Sequence, residues 1–249
     1  MKKIRMEVPC SSVRDVIIAD KAGVDQIDLG SVLEVGKVSG TVGALKTAKK
    51  RTNLPIYMMV RPRPQGFDYD EADFESMLYD AKNFIDNGAD GICFGLLNED
   101  ATINEERTRQ MVKIIGKKDA IFNRAFDLTP NLENAIQTLI KLNVTRVLTS
   151  GGWYGDIMDH LDLLEHLQAS YGDKINIIIG GGVNEHNALE ILNKTKVHQI
   201  HFSGKIDVYD NTYFVTSPHQ DKSAFTYLGA GEKRLKAIIN EVKKAEKLR

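Results

Sequence analysis

The chain has 249 residues, 42% of them hydrophobic, with 33 Lys+Arg against 34 Asp+Glu and a formal net charge of −1. A core of useful size is affordable at that length, and the balanced charge gives no basic excess for nucleic acid or an anionic membrane surface. The start, Met1-Lys2-Lys3-Ile4-Arg5, has no apolar stretch after it long enough for a signal peptide, and no run approaches the ~18 apolar residues of a spanning helix. A soluble, cytosolic protein is expected. Two cysteines, Cys10 and Cys93, are too few for a disulfide scaffold and read as reduced thiols.

Eight short apolar runs follow one another, each succeeded by an amphipathic pattern. The predicted strands cover residues 4–8, 26–29, 56–60, 91–94, 120–123, 146–148, 176–179 and 199–202. Short runs rich in β-branched and aliphatic residues suit parallel strands buried on both faces. The clearest helix spans 73–87, with Phe74, Met77, Leu78, Ala81, Phe84 and Ile85 on one stripe and Gly88 as its stop. Thr129-Pro130 predicts an N-cap and first turn for a later helix, and Leu235, Ile238, Ile239 and Val242 mark the last one. The rhythm predicts a (β/α)8 TIM barrel, one domain over 1–249, a fold that typically runs to ~250 residues. One connection is long: 203–230, with Tyr209, Tyr213, Phe214, Phe225 and Tyr227, reads either as a lid or as an excursion packed on the barrel end.

In this fold the working residues follow the C-terminal ends of the strands. Glu7 and Asp28 end adjacent strands, ~4.8 Å apart. They either share a site as proton donor or cation ligands, or pair with Arg61 and Arg124. Arg61 and Arg63 follow strand three within Val60-Arg61-Pro62-Arg63-Pro64, and Asn123, Arg124 and Asp127 follow strand five. Guanidinium forks there suit a carboxylate or phosphate, or else neutralise the acids. Ser150-Gly151-Gly152 follows strand six, and Gly180-Gly181-Gly182 leads toward a helix capped by Asn184. Glycine turns and Ser203 after strands seven and eight offer backbone N–H groups to a phosphate. His201 and Ser203 alternate along strand eight, which closes against strand one and brings His201 near Glu7 or Cys10. No Gly-x-Ser-x-Gly elbow and no zinc-type cysteine spacing occurs, and Lys205 is the one lysine placed where a Schiff base is arguable.

Several blocks together carry a resemblance. They are Met6-Glu7-Val8, Gly23-Val24-Asp25-Gln26-Ile27-Asp28-Leu29, Val60-Arg61-Pro62-Arg63 with Phe67-x-Tyr69, Asn123-Arg124-Ala125-Phe126-Asp127, Arg146-Val147-Leu148-Thr149-Ser150-Gly151, Gly180-Gly181-Gly182-Val183 and His201-x-Ser203. Over most of its length the chain resembles the CutC copper-homeostasis family. The resemblance implies a TIM barrel, a cytoplasmic location, a homo-oligomer and a role in copper handling, with copper(I) as the ion. The cysteines that the family offers to Cu(I) stand at positions held here by Gly30 and Pro9, leaving the neighbouring Cys10. A family histidine is Asn123 here, a family glutamate is Asp28, and the family turn Gly-Gly-x-Thr-Pro-Ser after strand two becomes Val35-Gly36-Lys37-Val38-Ser39-Gly40-Thr41.

Two functional expectations follow. One is a copper-binding homeostasis protein with Cys10, paired with His201, as its metal ligand; Cu(I) prefers soft thiolate and thioether donors. The other is an enzyme, intact or degenerate, acting on a small anionic, phosphorylated metabolite. There Arg61, Arg63, Asn123, Arg124, Ser150, Gly181, Gly182 and Ser203 bind the anion, and Glu7, Asp28, Asp127 or His201 move protons.

Overall fold

The computed structural model describes residues 3–210, 212 and 225–249. Each apolar run becomes a parallel strand: β1 (Arg5–Cys10), β2 (Gln26–Leu29), β3 (Ile56–Met59), β4 (Gly91–Phe94), β5 (Asp119–Phe122), β6 (Arg146–Thr149), β7 (Asn176–Ile179) and β8 (Gln199–His201). Pairing runs in chain order and β8 returns to β1, so the sheet is a closed barrel without edges. The outer ring comprises α1 (Val13–Ala22), α2 (Val42–Lys49), α3 (Glu71–Asp86), α4 (Glu105–Ile115), α5 (Leu132–Lys141), α6 (Leu161–Tyr171), α7 (Ala188–Thr195) and α8 (Glu232–Lys247). None of these helices is long and apolar enough to cross a membrane.

The helices start where the local chemistry allows. Asp70 caps α3 by accepting from Asp73 N, and Phe74, Met77, Ala81 and Phe84 form its buried stripe. Two expectations are corrected. The helix expected at Thr129-Pro130 begins at Leu132, capped by Asn131; the Thr129 hydroxyl instead donates to Phe126 O and closes a preceding 3-10 turn, Arg124–Leu128. Asn184 caps no helix: its Oδ1 accepts from His186 N in a local turn, and α7 starts only at Ala188. The glycine run therefore does not lead straight into a helix N-terminus. The long connection after β8 carries structure of its own, a ribbon of β9 (Lys205–Tyr209) and β10 (Thr226–Ala230). Leu228 N and Ala230 N tie β10 down by donating to Glu34 and Asp15. Tyr213 and Phe214, which belong to the connection read as a lid or a packed excursion, lie outside the described residues.

Period-two alternation splits the core into two layers. Met6, Val8 and Cys10 of β1 join the helices' apolar faces in the layer outside the barrel. Inside, Tyr57, Met59, Cys93, Ile121, Leu148 and Ile178 form a separate apolar cluster. Arg146, buried at the start of β6, plugs the lower lumen. Its guanidinium donates to Tyr57 Oη (2.6 Å), Asp119 Oδ2 (2.7 Å), Gln26 Oε1 (3.2 Å) and Gln199 Oε1 (3.4 Å), and lies over the Tyr57 ring. Replacing Arg146 with methionine strands these acceptors. The expected cost is about 3 kcal/mol, at the low end for a broken buried pair because Asp119 is one-third exposed. It should be read as a lower urea midpoint, and an unchanged midpoint would show that the plug contributes nothing to stability.

Candidate functional site at the barrel mouth

A cavity of about 530 Å³ opens at the C-terminal ends of the strands, lined among others by Asp28, Lys37, Met59, Arg61, Asn123, Arg124, Trp153, Gly181, Gly182, His201 and Ser203. Barrel closure creates its first element. Glu7 and His201 are register partners across the β1–β8 seam. His201 Nδ1 contacts Glu7 Oε1 at 2.8 Å, and Gln26 Nε2 donates to Glu7 Oε2 at 2.9 Å. With Glu7 ionised, Nδ1 carries the proton and donates to Oε1. The imidazole Nε2 is left without a protein partner among the described residues, on a ring that lines the cavity. Glu7 itself is buried beneath the cavity and acts through His201.

Asp28 lies one layer above, paired with a residue the sequence reading did not select. The Lys37 ammonium forms an ion pair with Asp28 Oδ2 and donates to Asp28 O, with both side chains buried. Asp28 Oδ1 has no partner among the described residues. Neither acid pairs with Arg61 or Arg124. Arg61 staples the loop after β2 instead: its Nη1 donates to the carbonyls of Val35, Gly36 and Lys37, and its guanidinium lies over Phe67. Arg61 lines the cavity, but that nitrogen is spent on backbone. Arg63 is corrected more fully. It does not line the cavity, and is held by Asp73, Gln65 O and Asp68 O over the Tyr69 ring.

Across the mouth, Arg124 donates Nε to Asp127 Oδ2 (2.8 Å) and Nη2 to Ser150 Oγ (2.7 Å), and stacks against Trp153. Its Nη1 has no acceptor among the described residues, and the side chain lines the cavity. Asp127 is not placed to move a proton on a ligand. It is buried behind Arg124, where it also accepts from Thr149 Oγ1, Ser150 N and Ser150 Oγ. Burial pushes its carboxyl up from the usual range, while Arg124 and these donors pull the other way. Ser150 is likewise a buried brace for Arg124. Asn123 spends its Oδ1 on Ala125 N to start the 3-10 turn, and its amide faces Met59 Sδ. At Gly181, φ is +98° and a Cβ would stand 3.0 Å from the Arg124 guanidinium carbon, so only glycine lets Arg124 pass. Ser203 lines the mouth, its Oγ accepting from Lys205 N.

The thiols do not join this site. Cys10 faces the helix layer, fully buried, with its Sγ near Val8 O; Pro9 is the neighbour that faces the cavity. Its expected pairing with His201 is therefore excluded by strand alternation. Cys93 faces the lumen beside Met59, but burial and the nearby Asp28 push its thiol up and disfavour the thiolate. Cys10 is pushed up by burial and by Asp15.

The sequence profile of the CutC family matches residues 4–206. This chain belongs to the CutC family. It is 42% identical to a CutC family protein of Treponema denticola over 82% of each chain. It is 32% identical to a human copper homeostasis protein cutC homolog, over 80% of this chain and 73% of that one. A solved CutC structure from Streptococcus agalactiae superposes with a TM-score of 0.76 at 26% identity, over 80% of this chain and 97% of that one. Phosphoribosylanthranilate isomerase from Thermotoga maritima, at 11% identity and a TM-score of 0.60 over 97% and 99% of the two chains, shares the barrel fold. Strand β10 and α8 lie beyond the family match.

The family name implies copper, which makes its own demand on the donors present. Glu7, Asp28 and His201 bring ligand atoms within 4.8 Å of one another. Two carboxylates and an imidazole form a hard to intermediate set, whereas Cu(I) prefers sulfur. Cys10 faces the helix layer, burial keeps the Cys93 thiol protonated, and Met59 offers the cavity a single thioether, so the residues do not supply the sulfur-rich set Cu(I) prefers. Native protein at pH 8 is expected to leave both thiols unreactive toward Ellman's reagent until denaturant is added. Rapid modification of Cys10 in the native state would place it at the surface.

Proposed function

We propose that this CutC protein serves copper homeostasis, the role its relatives' names carry, through a barrel-mouth site that binds a small anion and moves a proton on it. The observation that carries this reading is the Glu7–His201 dyad, which leaves an imidazole nitrogen facing a cavity walled by a braced arginine. A carboxylate on Nδ1 fixes the tautomer and steadies the imidazolium that forms when Nε2 takes a proton. Arg124, immobilised by Asp127, Ser150 and Trp153, offers Nη1 to an anion at low entropic cost. The backbone at Gly181 and Gly182 and the Ser203 hydroxyl complete the anion wall, and Lys37 supplies a second cation. Two reduced, buried thiols suit the cytoplasm that the family implies.

Calorimetric titration with inorganic phosphate tests the anion site. Arg124→Ala removes charge-assisted hydrogen bonds of about 1.5–3 kcal/mol, so binding is expected to weaken by roughly tenfold to a hundredfold. Equal affinity in wild type and variant would refute the arginine wall. An anaerobic Cu(I) titration against a chromophoric chelator should give the same curve for wild type and Cys10→Ser. Stoichiometric Cu(I) binding lost in Cys10→Ser would restore the thiolate reading.

A further inference from the structure

Lys37 occupies an unusual place. Its φ is +68°, in the left-handed region that side chains with a Cβ disfavour. It stands in the segment that replaces the glycine turn of the family pattern. The fold holds it there firmly: Lys37 N donates to Val32 O (3.1 Å), Lys37 O accepts from Arg61 Nη1 (3.2 Å), and Ser31 and Val38 bridge the loop. A lysine in the twelve-residue connection between β2 and α2 would ordinarily extend into water. This one turns inward until it is only 5% exposed, with its ammonium on Asp28.

The ammonium also lies beside the one side-chain group of three that could hold a metal ion among the described residues. Glu7, Asp28 and His201 converge within 4.8 Å. Asp28 is 2% exposed, and its Oδ1 is an unpartnered buried carboxylate oxygen. A buried carboxylate with an open lone pair calls for a cation. Here a cation covalently attached to the chain already holds the other oxygen, Oδ2. Of the three ammonium hydrogens, the two described acceptors, Asp28 Oδ2 and Asp28 O, use two. The third remains for a ligand in the cavity.

We propose that Lys37 is a tethered cation that holds Asp28 and so keeps a divalent metal ion out of the Glu7–Asp28–His201 group, so that this mouth binds anions without a metal. The anion half rests on the function proposed above; the cation half does not. The strained backbone is the means by which a loop residue reaches Asp28. Lys37 neutralises Asp28 permanently, independent of metal supply, and presents positive charge on the side of the mouth opposite Arg124.

The test titrates Mn²⁺ into wild type, Lys37→Gly and Lys37→Gln, reading bound ion by loss of the free Mn²⁺ electron paramagnetic resonance signal. Glycine suits the backbone at position 37, and glutamine keeps a neutral donor; near-ultraviolet circular dichroism verifies that each variant is folded. At least one folded variant is expected to bind one Mn²⁺ at least tenfold more tightly than wild type. The double variant Lys37→Gly/Asp28→Asn should lose that gain. Wild-type binding as tight as the variants', or no gain in either folded variant, overturns the proposal. In parallel, Lys37→Gly should weaken inorganic phosphate binding about tenfold, and Mn²⁺ should restore it. Failure of wild type to bind phosphate would overturn the anion site while leaving metal exclusion to the Mn²⁺ result. Phosphate binding without any Mn²⁺ gain would do the reverse.

Discussion

The site depends on how Glu7 is held. A carboxylate buried in a barrel lumen is costly when its oxygens lack partners, and each oxygen of Glu7 is met by a neighbouring strand. Gln26 on β2 donates to one and His201 on β8 to the other. Gln26 in turn accepts from Arg146 at the floor. A polar column thus climbs from Arg146 through Gln26 and Glu7 to the imidazole at the mouth. The seam that closes the barrel is also the seam that pairs Glu7 with His201. Slipping β8 by one residue would turn His201 to the helix side, so fold closure and site assembly are one event.

Around this column the charges are segregated by partner. Glu7 belongs to His201, Asp28 to Lys37, and Asp127 to Arg124. Two arginines that look equivalent in sequence have different duties. Arg61 spends its Nη1 on fixing a loop, while Arg124 is braced from behind by Asp127 and Ser150. A mouth arranged this way suits recognition of a negative ligand, and its hard donors explain why the residues do not fit a cuprous ion although the chain belongs to a copper-homeostasis family.

Much of this was legible in the residues. Apolar runs and stripes marked the strands and helices, and closure of strand eight on strand one brought His201 to Glu7. Counting by two from Glu7 places Pro9 inside and Cys10 outside, so the orientation of Cys10 was readable as well; proximity in sequence obscured it. The partners of Arg61 and Arg63 were not readable, because they are loop carbonyls and a helix acid whose positions depend on turn geometry. Lys37 was hidden for a similar reason. Lysine in a polar loop reads as solvated, and the only signal was its place in a segment where the family pattern has glycine. The cap at Asn131 was masked by the stronger Thr-Pro motif just before it.

Trp153 braces Arg124 from the solvent side, meets Phe67 edge to face, and lines the cavity. It is also the chain's single tryptophan. All indole emission from this protein therefore originates beside the arginine that would meet an incoming anion. The molecule carries an intrinsic optical reporter at its own entrance, responsive to changes in charge and hydration there and undiluted by signal from elsewhere in the barrel.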